Sequence, residues 1–141
     1  MKKELLDKVT NFCKKNKLRL TRPRLEVLKI ISESTKPIKA YQILKQLGKI
    51  FANPKPPTVY RSIAFWQKNN FIHRIESLSA FSVCEVSHNC VGGNFMICDG
   101  CGKVTEYVFE LPDLLKDKIN SQSFKMSKWN LEINGICKNC L

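Results

Sequence analysis

Two Cys-x-x-Cys pairs, Cys98-Asp99-Gly100-Cys101 and Cys137-Lys138-Asn139-Cys140, stand in the last third of the chain with 35 residues between them. Four sulfurs on two short hooks are the donor set of a tetrahedral structural zinc, and each hook offers two of them from one tight turn. Gly100 and Gly102 relax the backbone where the first hook must bend. A pair of disulfides and a redox Cys-x-x-Cys are the competing readings. A redox motif comes singly at a strand–helix junction, so the doubled motif favours zinc.

A second group of residues suits a polyanion. Residues 1–80 carry 18 Lys or Arg against 5 Asp or Glu, whereas residues 81–141 carry 6 against 7. The whole excess charge thus lies in the first half, and every cysteine except Cys13 lies in the second. That division predicts a polyanion-binding module followed by a metal-binding module, with a merely solvated basic surface as the plainer reading. Within the first, the run Lys55-Pro56-Pro57-Thr58-Val59-Tyr60-Arg61 opens a helical pattern. Arg61 can make two parallel bonds to guanine, Tyr60 can pack on a thymine methyl, and Thr58 with the helix start can hold a phosphate. Arg19, Arg22, Arg24 and Lys55 suit phosphate contacts, which set register and affinity without reading sequence. A half-buried Tyr60 beside an ordinary surface Arg61 is the plainer reading.

The elements that position these residues follow from periodicity. Residues 3–15 predict an amphipathic helix with Leu5, Leu6, Val9, Phe12 and Cys13 on one face, which makes Cys13 core rather than ligand. Thr21 predicts an N-cap and Pro23 a first-turn residue, for a helix with Leu25, Leu28 and Ile30 or Ile31 inward, ending near Ser34. A third helix is predicted over 39–51, with Ile43, Leu44, Leu47 and Ile50 inward. A fourth is predicted over 58–69, begun or capped by Thr58, with Val59, Ile63 and Trp66 on one stripe. Alternating runs at 71–77 and 80–86 about Leu78-Ser79 predict a β-hairpin. Helices followed by a hairpin in so basic a segment predict a winged helix-turn-helix. Downstream, strands are predicted at 94–98, 103–109 and 126–133, with a helix over 111–122 that turns Leu114, Leu115 and Ile119 inward. The fold class is therefore α+β: a winged-helix DNA-binding domain at 1–86, a polar hinge at 87–93 and a small α/β domain with a four-cysteine zinc site at 94–141. No apolar run of spanning length and no signal core occurs, and seven cysteines in such a chain predict a reducing cytoplasm.

Three segments carry a family resemblance: Arg19-Leu20-Thr21-Arg22-Pro23-Arg24-Leu25-Glu26-Val27-Leu28, then Lys55-Pro56-Pro57-Thr58-Val59-Tyr60-Arg61, then Cys98-Asp99-Gly100-Cys101-Gly102. In this order they resemble the ferric uptake regulator family of bacterial metalloregulators. Phe71-Ile72-His73-Arg74-Ile75-Glu76-Ser77 with Ser82-Val83-Cys84 is most similar to its zinc-regulator branch. The resemblance implies a homodimeric DNA-binding repressor with two zincs per chain, one structural and one regulatory, that controls zinc-uptake genes. It implies Cys98, Cys101, Cys137 and Cys140 as structural ligands, and Tyr60 and Arg61 as base readers. It also implies a sensory site between wing and dimerisation module on His73, Cys84 and Glu106, with His88 or Cys90 as the fourth ligand. The interval from Cys84 to Cys98 is about one residue shorter than the family's, so the fourth position stays open. With two histidines in all, the chain cannot build the family's other, histidine-rich site. Iron or manganese sensing, constitutive binding and a zinc-dependent enzyme are the alternatives. An enzyme is disfavoured because neither Cys-x-x-Cys is preceded by His-x-Glu, so no small-molecule substrate is expected.

Overall fold

The structure, a computed structural model, describes residues 3–85 and 92–141, which form parts of two compact units, Met1–Val83 and Cys84–Leu141. Among the described residues no helix is long and apolar enough to cross a membrane.

The first unit is four helices and a hairpin. Helix α1 (Lys3–Lys15) buries Val9 and Cys13, with Leu5 and Phe12 partly covered. Leu6, placed on that face by periodicity, lies at its edge with 37% of its surface exposed. Helix α2 (Arg22–Glu33) follows Thr21, whose side chain makes no capping bond; Pro23 in the first turn lacks the N–H that would need one. Burial of Val27, Leu28, Ile30 and Ile31 makes α2 the central helix. Helix α3 (Ala40–Leu47) stops at Gly48, short of the predicted end. The turn there leaves Ile50 exposed, and Phe51 packs on the core in its place. Helix α4 (Pro56–Lys68) starts earlier than predicted, with Lys55 as N-cap rather than Thr58, because both prolines fit a first turn that needs no amide donors.

The hairpin pairs β1 (Ile72–Ile75) with β2 (Ala80–Val83), shorter than the predicted runs. Ile38 and Phe81 exchange two backbone bonds of 2.9 Å, which fastens β2 to the segment before α3. Trp66, fully buried, meets both Phe65 and Phe71 edge-on, and Phe71 meets Phe12 likewise. Such pairs add about 0.5–1.5 kcal/mol each beyond area burial. The Trp66 indole N–H donates to the Arg24 carbonyl at 2.8 Å, so α4 is pinned to the first turn of α2.

The second unit is a three-stranded sheet in the order β4–β3–β5. Strand β3 (Asn94–Cys98) pairs antiparallel with β4 (Val104–Glu106), and parallel with β5 (Leu131–Gly135). A parallel pair needs a crossover, which contains α5 (Asp113–Ser121). Phe95 and Ile97 of β3 point into the small core, whereas Met96 and Ile133, opposite each other, point outward. Helix α5 buries no residue: Leu114 and Leu115 are exposed, contrary to the inward stripe that their spacing predicts. The third strand begins at Leu131, later than residue 126.

Replacing Trp66 separates packing from hydrogen bonding. Trp66→Ala is expected to cost about 3–5 kcal/mol, and Trp66→Phe about 0.5–1.5 kcal/mol through the lost bond to the Arg24 carbonyl, which keeps its helical N–H partner. Urea unfolding followed by far-ultraviolet circular dichroism measures both, since most of the helix lies in the first unit.

Candidate metal centre and nucleic-acid interface

Register delivers the two hooks to one place. Cys98 ends β3 opposite Gly135, the last residue of β5, so Cys137 follows beside it. The donated bond from the Asp99 N–H to the Gly135 carbonyl, 2.8 Å, closes the pair. In the first hook Gly102 has φ +70°, a region costly to other residues, and its N–H donates to the Cys98 carbonyl. A Cβ on Gly100 would lie 3.1 Å from that of Cys140, so glycine lets the hooks approach.

The sulfurs of Cys98, Cys101, Cys137 and Cys140 all lie within 4.8 Å of one another, and Cys101 and Cys137 are 3.8 Å apart. A disulfide needs about 2.05 Å. Four sulfurs at about 2.3 Å from one ion sit about 3.8 Å apart at the corners of a tetrahedron. Charge agrees with geometry. Backbone N–H groups of Cys101 and then Cys137 hold the Cys98 thiol down to about 6. Contacts with Cys137 and then Cys101 push the Cys140 thiol up to about 12. One thiolate thus forms readily, whereas the last resists ionising beside the others, as expected of a set that awaits a cation. Donor type, spacing and charge all fit zinc.

The residues expected at a second metal site are less fully in view. Within the second unit Cys84 Sγ lies 4.0 Å from Glu106 Oε1, and the Glu85 N–H donates to Glu106 Oε2 at 2.8 Å. That backbone clamp on Glu106 has no sequence signal, because any residue at 85 supplies the same N–H. His73 sits on β1 across from Ser82 and is 9% exposed. His88 and Cys90, the alternatives for a fourth ligand, lie outside the described residues, as does most of the expected hinge.

The start of α4 carries the residues expected to contact DNA, several of them turned to solvent. Val59, Ile63 and Trp66 are buried, which turns Tyr60 and Arg61 outward; Tyr60 is 58% exposed. Lys55 is exposed at the N-cap and Thr58 is half-buried in the first turn. Arg19 and Arg22 lie at the start of α2, Arg22 with its guanidinium 5.0 Å from the centre of the Phe51 ring. Arg24 is employed differently from its expected phosphate contact. It is half-buried, its guanidinium 3.8 Å over the Phe65 ring and bonded to the Arg19 carbonyl. No periodicity marks that role, since it depends on α2 meeting α4.

Comparison with known proteins places these features in context. The profile of the ferric uptake regulator family matches residues 15–134. The zinc uptake regulation protein of Escherichia coli (strain K12) is 33% identical over 140 residues, covering 98% of this chain and 82% of that protein. The ferric uptake regulation protein of Legionella pneumophila is 30% identical over 125 residues, covering 87% and 91% respectively. A solved zinc uptake regulator in complex with zinc and DNA superposes with a TM-score of 0.88 at 32% identity, over 97% of this chain and 93% of that one.

Removing the metal from the four-cysteine cluster is expected to loosen the second unit and spare the first. A strong chelator under reducing conditions should speed amide exchange in β3 and β5 while the amides of α2 and α4 keep their protection. Hydrogen exchange read by mass spectrometry checks this, and unchanged β3 and β5 protection would show that the sheet holds without the staple.

Proposed function

The chain belongs to the ferric uptake regulator family, and from that premise we propose that it is a zinc-responsive transcriptional repressor. It binds palindromic operator DNA as a homodimer and controls zinc-uptake genes in the cytoplasm. The observation that carries this reading is a second thiolate-bearing donor pair, Cys84 with Glu106, in a chain that already has a complete four-cysteine cluster. A structural ion needs one set; a further thiolate set suits an exchangeable zinc.

In this reading residues 1–86 bind DNA, 87–93 are the hinge and 94–141 dimerise. Tyr60 and Arg61 read base edges from the major groove. Thr58 and the N-terminus of α4 hold a phosphate, and Lys55, Arg19 and Arg22 add phosphate contacts. Two recognition helices about 34 Å apart match one turn of the duplex. The homodimer is supported by apolar surface that the second unit leaves uncovered: Met96, Tyr107, Leu114, Leu115 and Ile133.

One zinc is held by Cys98, Cys101, Cys137 and Cys140. Such sites contribute about 10–16 kcal/mol to folding at neutral pH. The regulatory zinc takes His73, Cys84 and Glu106, with His88 or Cys90. Imidazole, thiolate and carboxylate together suit zinc better than iron(II) or manganese. When bound, that ion supplies a fixed positive charge that lets Cys84 ionise beside the Glu106 carboxylate. The order so gained around the two residues need not be imposed by DNA, and operator affinity rises.

Elemental mass spectrometry before and after mild chelation tests the metal content. Two zincs per chain falling to one are expected; a single zinc that no reloading raises would remove the regulatory site. Cys84→Ser should keep the fold, lose the exchangeable ion and blunt the zinc dependence of operator binding. Arg61→Ala should abolish preference for a selected duplex, with binding to arbitrary DNA retained and its steep salt dependence unchanged. Equal loss on both duplexes would take Arg61 out of base reading.

A further inference from the structure

We propose that Arg24 is a positioning residue for the recognition helix, and that it sets sequence preference without touching DNA. This rests on the repressor reading above. Three observations converge on it. The Arg24 guanidinium lies 3.8 Å over the ring of Phe65, on α4. The same guanidinium donates through Nη1 to the carbonyl of Arg19, in the segment that leads into α2. The Arg24 carbonyl in turn accepts the indole N–H of Trp66, the residue after Phe65, at 2.8 Å. One residue thus grips α4 from its side chain and from its backbone, and ties both grips to the loop that carries Arg19.

The consequence follows from helix geometry. Phe65 is four residues beyond Arg61, about 6 Å along the axis, and a helix this short is stiff. Fixing two consecutive residues in the second half of α4 fixes both its tilt and its rotation about its own axis. Rotation decides which groove edge Tyr60 and Arg61 meet. The alternative, a phosphate contact, makes the guanidinium compete with its stacking on Phe65.

A lysine at 24 keeps the charge and loses the planar group that stacks and forks. That separates positioning from phosphate neutralisation. The probes are a duplex selected from a randomised pool by the native zinc-loaded chain and an arbitrary duplex of equal length. Each is titrated by fluorescence anisotropy over a salt series with the full zinc-loaded protein. Arg24→Lys is expected to weaken binding to the selected duplex about tenfold, the scale of a lost cation–π and hydrogen-bond brace, and to leave the arbitrary duplex unchanged. Phe65→Leu should reproduce that loss, and the double variant should be no worse than the weaker single one.

Arg24→Gln should behave like Arg24→Lys, with the salt slope unaltered. Three results overturn the proposal: native-like preference in Arg24→Lys, a salt slope flatter by about 0.9 in Arg24→Gln with equal loss on both duplexes, or no effect of Phe65→Leu. If Arg24→Gln does not fold, Arg24→Lys and Phe65→Leu decide the matter between them. A native chain that selects no sequence overturns the repressor reading and this proposal with it. Normal selection with insensitive variants overturns this proposal alone.

Discussion

Four sulfurs held within 4.8 Å of one another repel once ionised, and a divalent cation removes that repulsion. The second unit is organised around this constraint. Among its described residues the buried side chains amount to little more than Phe95, Ile97, Cys98 and Asn94, a small apolar area on which to fix a three-stranded sheet with a parallel pair. Parallel pairing of β3 with β5 brings Cys98 beside Gly135, and the sulfurs then close the end of the sheet. Pairing and cluster support each other: the register makes the site, and a bound ion would hold the register. Met96, Ile133, Leu114 and Leu115 leave apolar surface exposed on this unit, which is the surface the proposed homodimer would cover.

The first unit has no such staple among its described residues and relies on aromatic packing. Phe12, Phe71, Trp66 and Phe65 meet edge to face in a chain of contacts that runs from α1 to α4. In the proposed reading the direction of α4 matters most, because that helix carries Tyr60 and Arg61. Its apolar stripe settles which side faces inward. The bonds to Arg24 settle how it lies on α2. Basic charge here has two uses that composition does not distinguish: some cations remain in solvent at the start of α4, and Arg24 is consumed as a brace.

Much was legible from residue spacing alone. The doubled Cys-x-x-Cys favoured a tetrahedral donor set over disulfides, and Val59, Ile63 and Trp66 at helical spacing left Tyr60 and Arg61 off the apolar stripe. Elements with a strong local signal lie close to where periodicity puts them, as α1 and β3 do. Differences arose where a neighbour outside the local window decides the outcome. Leu6 shares the periodicity of Val9 and yet is only partly covered, at 37% exposure. Ile50 gives way to Phe51 because a turn after Gly48 changes the phase of the pattern. Leu114 and Leu115 read as core residues, but both are exposed and α5 buries no side chain fully, with Ile119 half-covered.

The sequence by itself determined which residues bear the chemistry: four sulfurs on two hooks suited to a divalent ion, a basic first half, and the side chains that lead α4. These follow from residue type and short spacing, which a local backbone turn converts directly into geometry. Tertiary structure alone decided the parallel register that joins hooks 35 residues apart, the Glu85 amide that clamps Glu106, and the use of Arg24 as a brace. Each of these is a contact between segments distant along the chain. The hydrogen bonds and ring contacts involved carry no periodicity, so no local pattern encodes them.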